Sequence, residues 1–144
     1  MTTNRRKADT IDFTKARLVS TYNELGRQLS ESDDLVSRLT RRLQTTLEIK
    51  LIVNIFVEEV GKLIDFDQFE YNCEAAGSYL TSEKRSAHSC NYRLRLENED
   101  LGEVTFTRSK KFKEEELAII ERLIGTLVFP LRNAVMYRQA LDAA

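Results

Sequence analysis

The chain has one histidine and two cysteines, and all three lie in a middle stretch whose residues alternate in polarity. In Phe69-Glu70-Tyr71-Asn72-Cys73 and in His88-Ser89-Cys90-Asn91-Tyr92-Arg93-Leu94-Arg95-Leu96, larger or less polar residues alternate with polar ones. That period predicts strands with one buried face. His88, Cys90, Tyr92 and Leu94 then share a face, and Cys73 shares one with Phe69 and Tyr71. Were the two strands neighbours, Cys73, His88 and Cys90 would converge as three of the four soft ligands that zinc prefers. Alternatively, the two thiols would approach disulfide distance. The simpler reading treats buried cysteines as small hydrophobes and the histidine as a core group. No bound metal or cofactor is therefore expected.

Other chemistry is poorly represented. There is no Ser/His/Asp set, HExxH, GxGxxG or P-loop. Glu58 and Glu59 read as acids on an exposed, solvated helix face and Glu114 to Glu116 as acids at a helix start, where they offset the helix dipole, so these residues predict no enzyme. With 22 basic and 23 acidic residues the net charge is −1, which gives no overall field for nucleic acid or an anionic membrane. The basic run Arg5-Arg6-Lys7 is short. No apolar window is long enough for a membrane span and the N-terminus has no signal-peptide core, which predicts a cytoplasmic protein. A 42% hydrophobic composition over 144 residues supports one core.

The elements that would position these residues form a helix, helix, strands, helix order. Residues 1–11 read as a disordered terminus and 12–46 as a helix with two heptad registers, one through Leu18, Leu25 and Leu39, the other through Tyr22, Leu29, Val36 and Leu43. Ser30-Glu31-Ser32-Asp33-Asp34 is its weak point and could cap a fresh helix instead, but the apolar phase is the same on both sides and favours a continuous helix. From Leu47 to Ile64 the stripe Leu51, Ile52, Ile55, Phe56, Val60, Leu63 and Ile64 predicts a helix packed on a sheet. Residues 97–100 read as a turn and Leu101 to Thr107 as a strand, with a bulge at Gly102 restoring its phase. Ala75 to Ala87 is a loop or a weak edge strand. After Leu117 the positions Ile120, Ile124, Leu127, Leu131, Ala134 and Leu141 form another seam, with Pro130 predicting a bend between Gly125 and Leu131. No stop signal follows Leu141, so Ala144 reads as a cut leading into a second domain. The expected organisation is a core of residues 47–129 with an outgoing signalling helix, 130–144.

Several segments together resemble a GAF domain: the helix ending in Ile64-Asp65-Phe66-Asp67, the strand Leu101-Gly102-Glu103-Val104-Thr105-Phe106, and the helix start Phe112-Lys113-Glu114-Glu115-Glu116-Leu117. With Glu48-Ile49-Lys50-Leu51, His88 to Leu94 and Phe129 to Leu141, the chain resembles the N-terminal regulatory domain of bacterial diguanylate cyclases that carry a C-terminal GGDEF domain. The resemblance implies an α+β fold, a GAF-like antiparallel sheet covered by helices and flanked by coiled-coil helices. It also implies a homodimeric sensory module that controls cyclic di-GMP synthesis through dimer geometry. The cyclase motifs are absent, so no catalytic residue carries over. The dimer seam would be Leu18, Leu25, Leu29, Leu39, Leu43, Leu127, Leu131 and Leu141, with Pro130 as hinge. A small-molecule effector, if one binds, would contact Tyr71, Cys73, His88, Cys90 and Tyr92. Only about 13 residues separate Cys73 from Ala87, too few for the lid of ligand-holding GAF domains. A ligand-free GAF-shaped scaffold is the alternative, as is the input domain of a histidine kinase or a transcription regulator.

Overall fold

The computed structural model describes residues 4–5, 9–12, 31–82, 84 and 86–144. In chain order these form β1 (Asn4–Arg5), β2 (Asp9–Asp12), α1 (Glu31–Leu43), α2 (Ile49–Val60), β3 (Gln68–Cys73), β4 (Gly77–Leu80), β5 (His88–Leu96), β6 (Glu99–Arg108), α3 (Glu114–Ile124), a 3-10 turn (Gly125–Leu127) and α4 (Val128–Ala143). The fold is α+β. Its sheet runs β1-β5-β6-β3-β4, with β2 continuing beside β5. The pairs β5–β6, β6–β3 and β3–β4 are antiparallel, whereas β1 and β2 run parallel to β5.

The alternation read from the sequence sets the two faces. Phe69, Tyr71 and Cys73 of β3 and Cys90, Tyr92, Leu94 and Leu96 of β5 are buried, while Asn72, Arg93 and Arg95 are exposed. Helices cover the apolar face. The Phe56 ring of α2 lies 5.4 Å from Phe69 and 6.2 Å from Phe106, and Phe66 meets Phe106 edge-on at 5.2 Å. These tilted pairs suit the aromatic quadrupole. The opposite face is a polar ladder, where the buried Asn91 donates to Thr105 Oγ1 and the exposed Arg93 bonds Asp100 at 2.7 Å.

The predicted bulge is present. Leu94 pairs with Gly102 and Arg95 with Asp100, leaving Leu101 as the extra residue. Its side chain turns into the core at 3% exposure. Gly102 has φ +95°, and a Cβ there would stand 2.4 Å from the Asn72 carbonyl oxygen, so both backbone angle and space require glycine. Asp100 Oδ1 accepts the Gly102 amide at 2.9 Å. The segment after Cys73 resolves into β4, the weak edge strand.

Several expectations change. Residues 4–5 and 9–12 are strands, not a disordered terminus, and Asp12 ends a strand where a helix was expected to open. The open edge of β5 supplies backbone groups that any sequence can pair with, and Thr10 and Ile11 are β-branched. Leu18, Leu25 and Leu29 lie outside the described residues. Leu39, Leu43, Leu127 and Leu131 are at most 1% exposed, so they close the chain's own core and are not left for an intersubunit seam. Over three or four turns a 3.5-residue seam and a 3.6-residue buried face place apolar residues at the same positions. Of the expected seam among the described residues, Leu141 alone faces solvent, at 55% exposure. The C-terminal helix is also divided in two. Its break is the 3-10 turn, where Thr126 Oγ1 donates to the Leu123 carbonyl at 2.6 Å. Pro130 thus falls in the first turn of α4, where a backbone amide has no intrahelical partner.

Candidate functional site

The strand order decides the fate of the two thiols. Because β6 lies between β5 and β3, Cys90 shares a row with Phe106 and Phe69, and Tyr92 shares the next with Val104 and Tyr71. Cys73 stands four residues farther along β3 than Phe69. Two strand spacings of about 4.8 Å and four residues of about 3.3 Å separate the cysteines by about 16 Å. A disulfide needs Cα atoms within about 7 Å, so the convergence considered for Cys73, His88 and Cys90 does not occur. Neither thiol is in a disulfide, and the described residues hold no cluster of three or more metal-ligating side chains.

The expected effector residues are distributed rather than gathered. Tyr71 and Tyr92 are 0% exposed. The Tyr71 hydroxyl donates to the Leu101 carbonyl at 2.5 Å, and that of Tyr92 to Glu121 of α3 at 3.2 Å. Burial holds the Tyr71 phenol protonated far above its usual range. Both rings fill space between sheet and helices. Cys73 instead borders a polar depression of about 690 Å³ with Asn72, Glu74 and Arg93. His88 and Cys90 border a groove of about 300 Å³ beside Phe112 and Leu117 at the start of α3. No one of these depressions is lined by all five residues.

Two ionic clasps fix the helices, and one of them buries Glu59, which was expected on a solvated helix face. Arg108, 5% exposed, donates to the carbonyls of Asp65, Lys110 and Lys111 and to both Glu116 oxygens, and lies 4.2 Å above the Phe112 ring. The bidentate pair pulls the Glu116 carboxyl down to about 2, chiefly through the Arg108 hydrogen bonds. Glu116 also accepts the Lys113 amide at 2.9 Å, which caps α3. The second clasp is Glu59, 1% exposed on α2, which takes Arg38 of α1 at 2.7 Å and Lys62 at 2.6 Å. The Lys62 hydrogen bond, then Arg38, keeps its carboxyl below the usual range against the opposing effect of burial. A sequence signal existed for the first: an acid at the third helical position, eight residues after an arginine.

Another groove, partly apolar, lies between the helices. Thr45 Oγ1 donates to the Arg42 carbonyl and the Glu48 amide donates to Thr46 Oγ1, so the chain turns sharply from α1 into α2. That turn brings Leu47 and Leu51 beside Phe129, Pro130 and Tyr137 of α4, around a groove of about 880 Å³. Leu47, Leu51 and Tyr137 are each 45% exposed. Leu51, expected in the buried stripe, lies on the face of α2 opposite Ile52, Val53 and Phe56. The Leu47/Leu51 spacing of four was the available signal, but it merges with the core stripe when read without the fold. Beside this groove α4 is tied to the sheet by Leu131, Ala134 and Val135 in the core and by Arg138, which donates to the Tyr79 hydroxyl at 3.1 Å.

No family model, no curated protein and no solved structure matches this chain. The described residues contain no helix long and apolar enough to cross a membrane.

Proposed function

We infer that this chain is a non-catalytic regulatory and dimerisation module, GAF-like in architecture, which controls an attached diguanylate cyclase by setting the geometry of α4 in a homodimer. The supporting observation is the groove where α2 and α4 meet, which leaves Leu47, Leu51, Tyr137 and, farther along α4, Leu141 open to solvent. Clustered exposed apolar side chains on a small domain mark an interaction surface. A second copy supplies the matching patch through a twofold axis, in which each chain uses the same residues. α4 belongs both to that surface and to the core, so a change in how the copies pack is a change in helix direction. Diguanylate cyclases join two GTP molecules held by two subunits, and such a direction change alters how their active sites meet.

The filled sheet face favours a ligand-free scaffold over an effector sensor, since Tyr71 and Tyr92 occupy the space an effector would need. Sedimentation velocity at micromolar concentration tests the dimer: the expected particle has twice the chain mass, and a single-chain particle refutes the reading. Assay of the full gene product for conversion of GTP to cyclic di-GMP tests the output. Leu51→Glu, on the surface and away from any cyclase residue, should lower that conversion as it lowers the dimer fraction. Full conversion by a monomeric variant would sever the link between dimer and output.

A further inference from the structure

α4 changes the side on which it is apolar as it leaves the domain. Val128, Leu131, Ala134 and Val135 are buried in the core. A step of seven residues, close to two helical turns, returns a position to nearly the same direction. By that step Leu131 is succeeded by Arg138 and Val135 by Asp142, which pair at 3.9 Å as i,i+4 neighbours. On the core side only Ala134 keeps an apolar successor, Leu141. The opposite side keeps its character: Phe129 is followed by Met136 and Ala143, and Asn133 by Ala140, at alternating steps of four and three. Residues 136–144 are all exposed, Met136 at 53%. The side that met the core therefore turns charged where the core ends, while the outer side stays apolar. Because the two sides point in opposite directions, the chain's own core is not what covers the outer one.

Resting on the dimer reading above, we propose that this outer side of α4 pairs in parallel with the same side of a second copy, and that Asn133 fixes the direction and register of the pair. Steps of four and three repeat every 3.5 residues, so the seam stays turned toward a helix that runs alongside it. A second copy brings an identical seam. Asn133 is exposed, lines the groove beside Leu47 and Leu51, and its side chain has no hydrogen-bond partner among the described residues. In the parallel pair the two Asn133 amides meet across the twofold axis, each donating to the other. In an antiparallel pair each is buried against apolar seam residues such as Ala140, which leaves an amide unsatisfied. A single polar layer of this kind specifies register and oligomeric state. The flanking positions of the parallel pair bring Arg132 of one copy beside Tyr137 of the other, so no like charges oppose each other.

Oxidative cross-linking with Asn133 in place tests this. Helix axes about 8–10 Å apart bring facing seam Cα atoms to about 4–6 Å, within disulfide range. Parallel register predicts that Met136→Cys and Ala140→Cys each link to their own kind and give a band of twice the chain mass. Wild type, whose Cys73 and Cys90 are buried, should stay at single mass. Four residues rise about 6 Å, so an antiparallel pair that links one position to itself holds the two copies of the other about 12 Å apart along the axis. A self-link at one position only overturns the proposal. So does a mixed link, between differently tagged Met136→Cys and Ala140→Cys chains, that exceeds both self-links. Adding Asn133→Leu, at an exposed position, should keep the dimer but raise the mixed link severalfold relative to the self-links. An unchanged link pattern, or loss of the dimer, overturns the role of Asn133. Sedimentation of the same samples separates the two readings: a dimer that links at neither position overturns this seam alone, whereas a monomer removes the dimer reading with it.

Discussion

Replacing Glu116 with glutamine removes half of the clasp that fastens the end of β6 to the start of α3. The Glu116 carboxyl sits at about 2 in the fold against 4.5 when free. A carboxyl depressed on folding stabilises the folded state above its free value, and that contribution is lost as pH falls toward the folded value. At 1.36 kcal/mol per unit the depression corresponds to about 3 kcal/mol. Because the Glu116 side chain is 24% exposed, solvent screening lowers this to about 2 kcal/mol. Arg108 keeps its three carbonyl partners in the variant but loses its counter-charge while remaining buried, so Glu116→Gln should cost about 2 kcal/mol at pH 7, or roughly 5–8 °C in Tm. Thermal melts of both proteins from pH 7 downward provide the assay. The Tm difference should hold to about pH 5, shrink between about 4.5 and 2, and be small at the acid end, where wild-type Glu116 is itself neutral. A difference that stays constant through this window, or is absent at pH 7, would refute the assignment of the clasp to charge.

Gly102→Ala should destabilise by about 3 kcal/mol or more, since it puts a side chain on a backbone of positive φ and drives a Cβ against the Asn72 carbonyl; an unfolding free energy from denaturant titration within about 0.5 kcal/mol of wild type would show that the bulge rearranges freely. Phe106→Ala should cost about 3–5 kcal/mol by emptying the centre of the Phe56, Phe66 and Phe69 cluster, again read from denaturant unfolding. Cys73 and Cys90, at 4% and 1% exposure, should react slowly with a thiol reagent in the native protein and fully in denaturant; rapid native reaction of either would contradict its burial. Pro130→Ala in the full-length protein should change basal cyclase output by allowing the 3-10 turn and α4 to merge, and unchanged output would remove Pro130 as a hinge.

The local patterns determined a good part of this architecture. The period-two stretch 88–96 is β5, because alternating polarity suits only a strand with one wet face, and the phase error at Leu101 next to a glycine marked the bulge, because a bulge is what restores alternation. The stripe through Ile52, Phe56 and Val60 marked the inner face of α2. Tertiary structure decided what those patterns were for. Leucines spaced by three and four mark an apolar side of a helix without saying whether the partner is the chain's own core or another molecule, and packing assigned Leu39, Leu43, Leu127 and Leu131 to the core. Strand order and register are equally silent in sequence: the insertion of β6 between β3 and β5, together with the four-residue offset of Cys73 from the Cys90 row, kept the two thiols apart. The pairing of residues 4–5 and 9–12 with β5 had no signal at all, since backbone hydrogen bonds are made by every residue type and depend on which edge is left open once the rest of the sheet has formed.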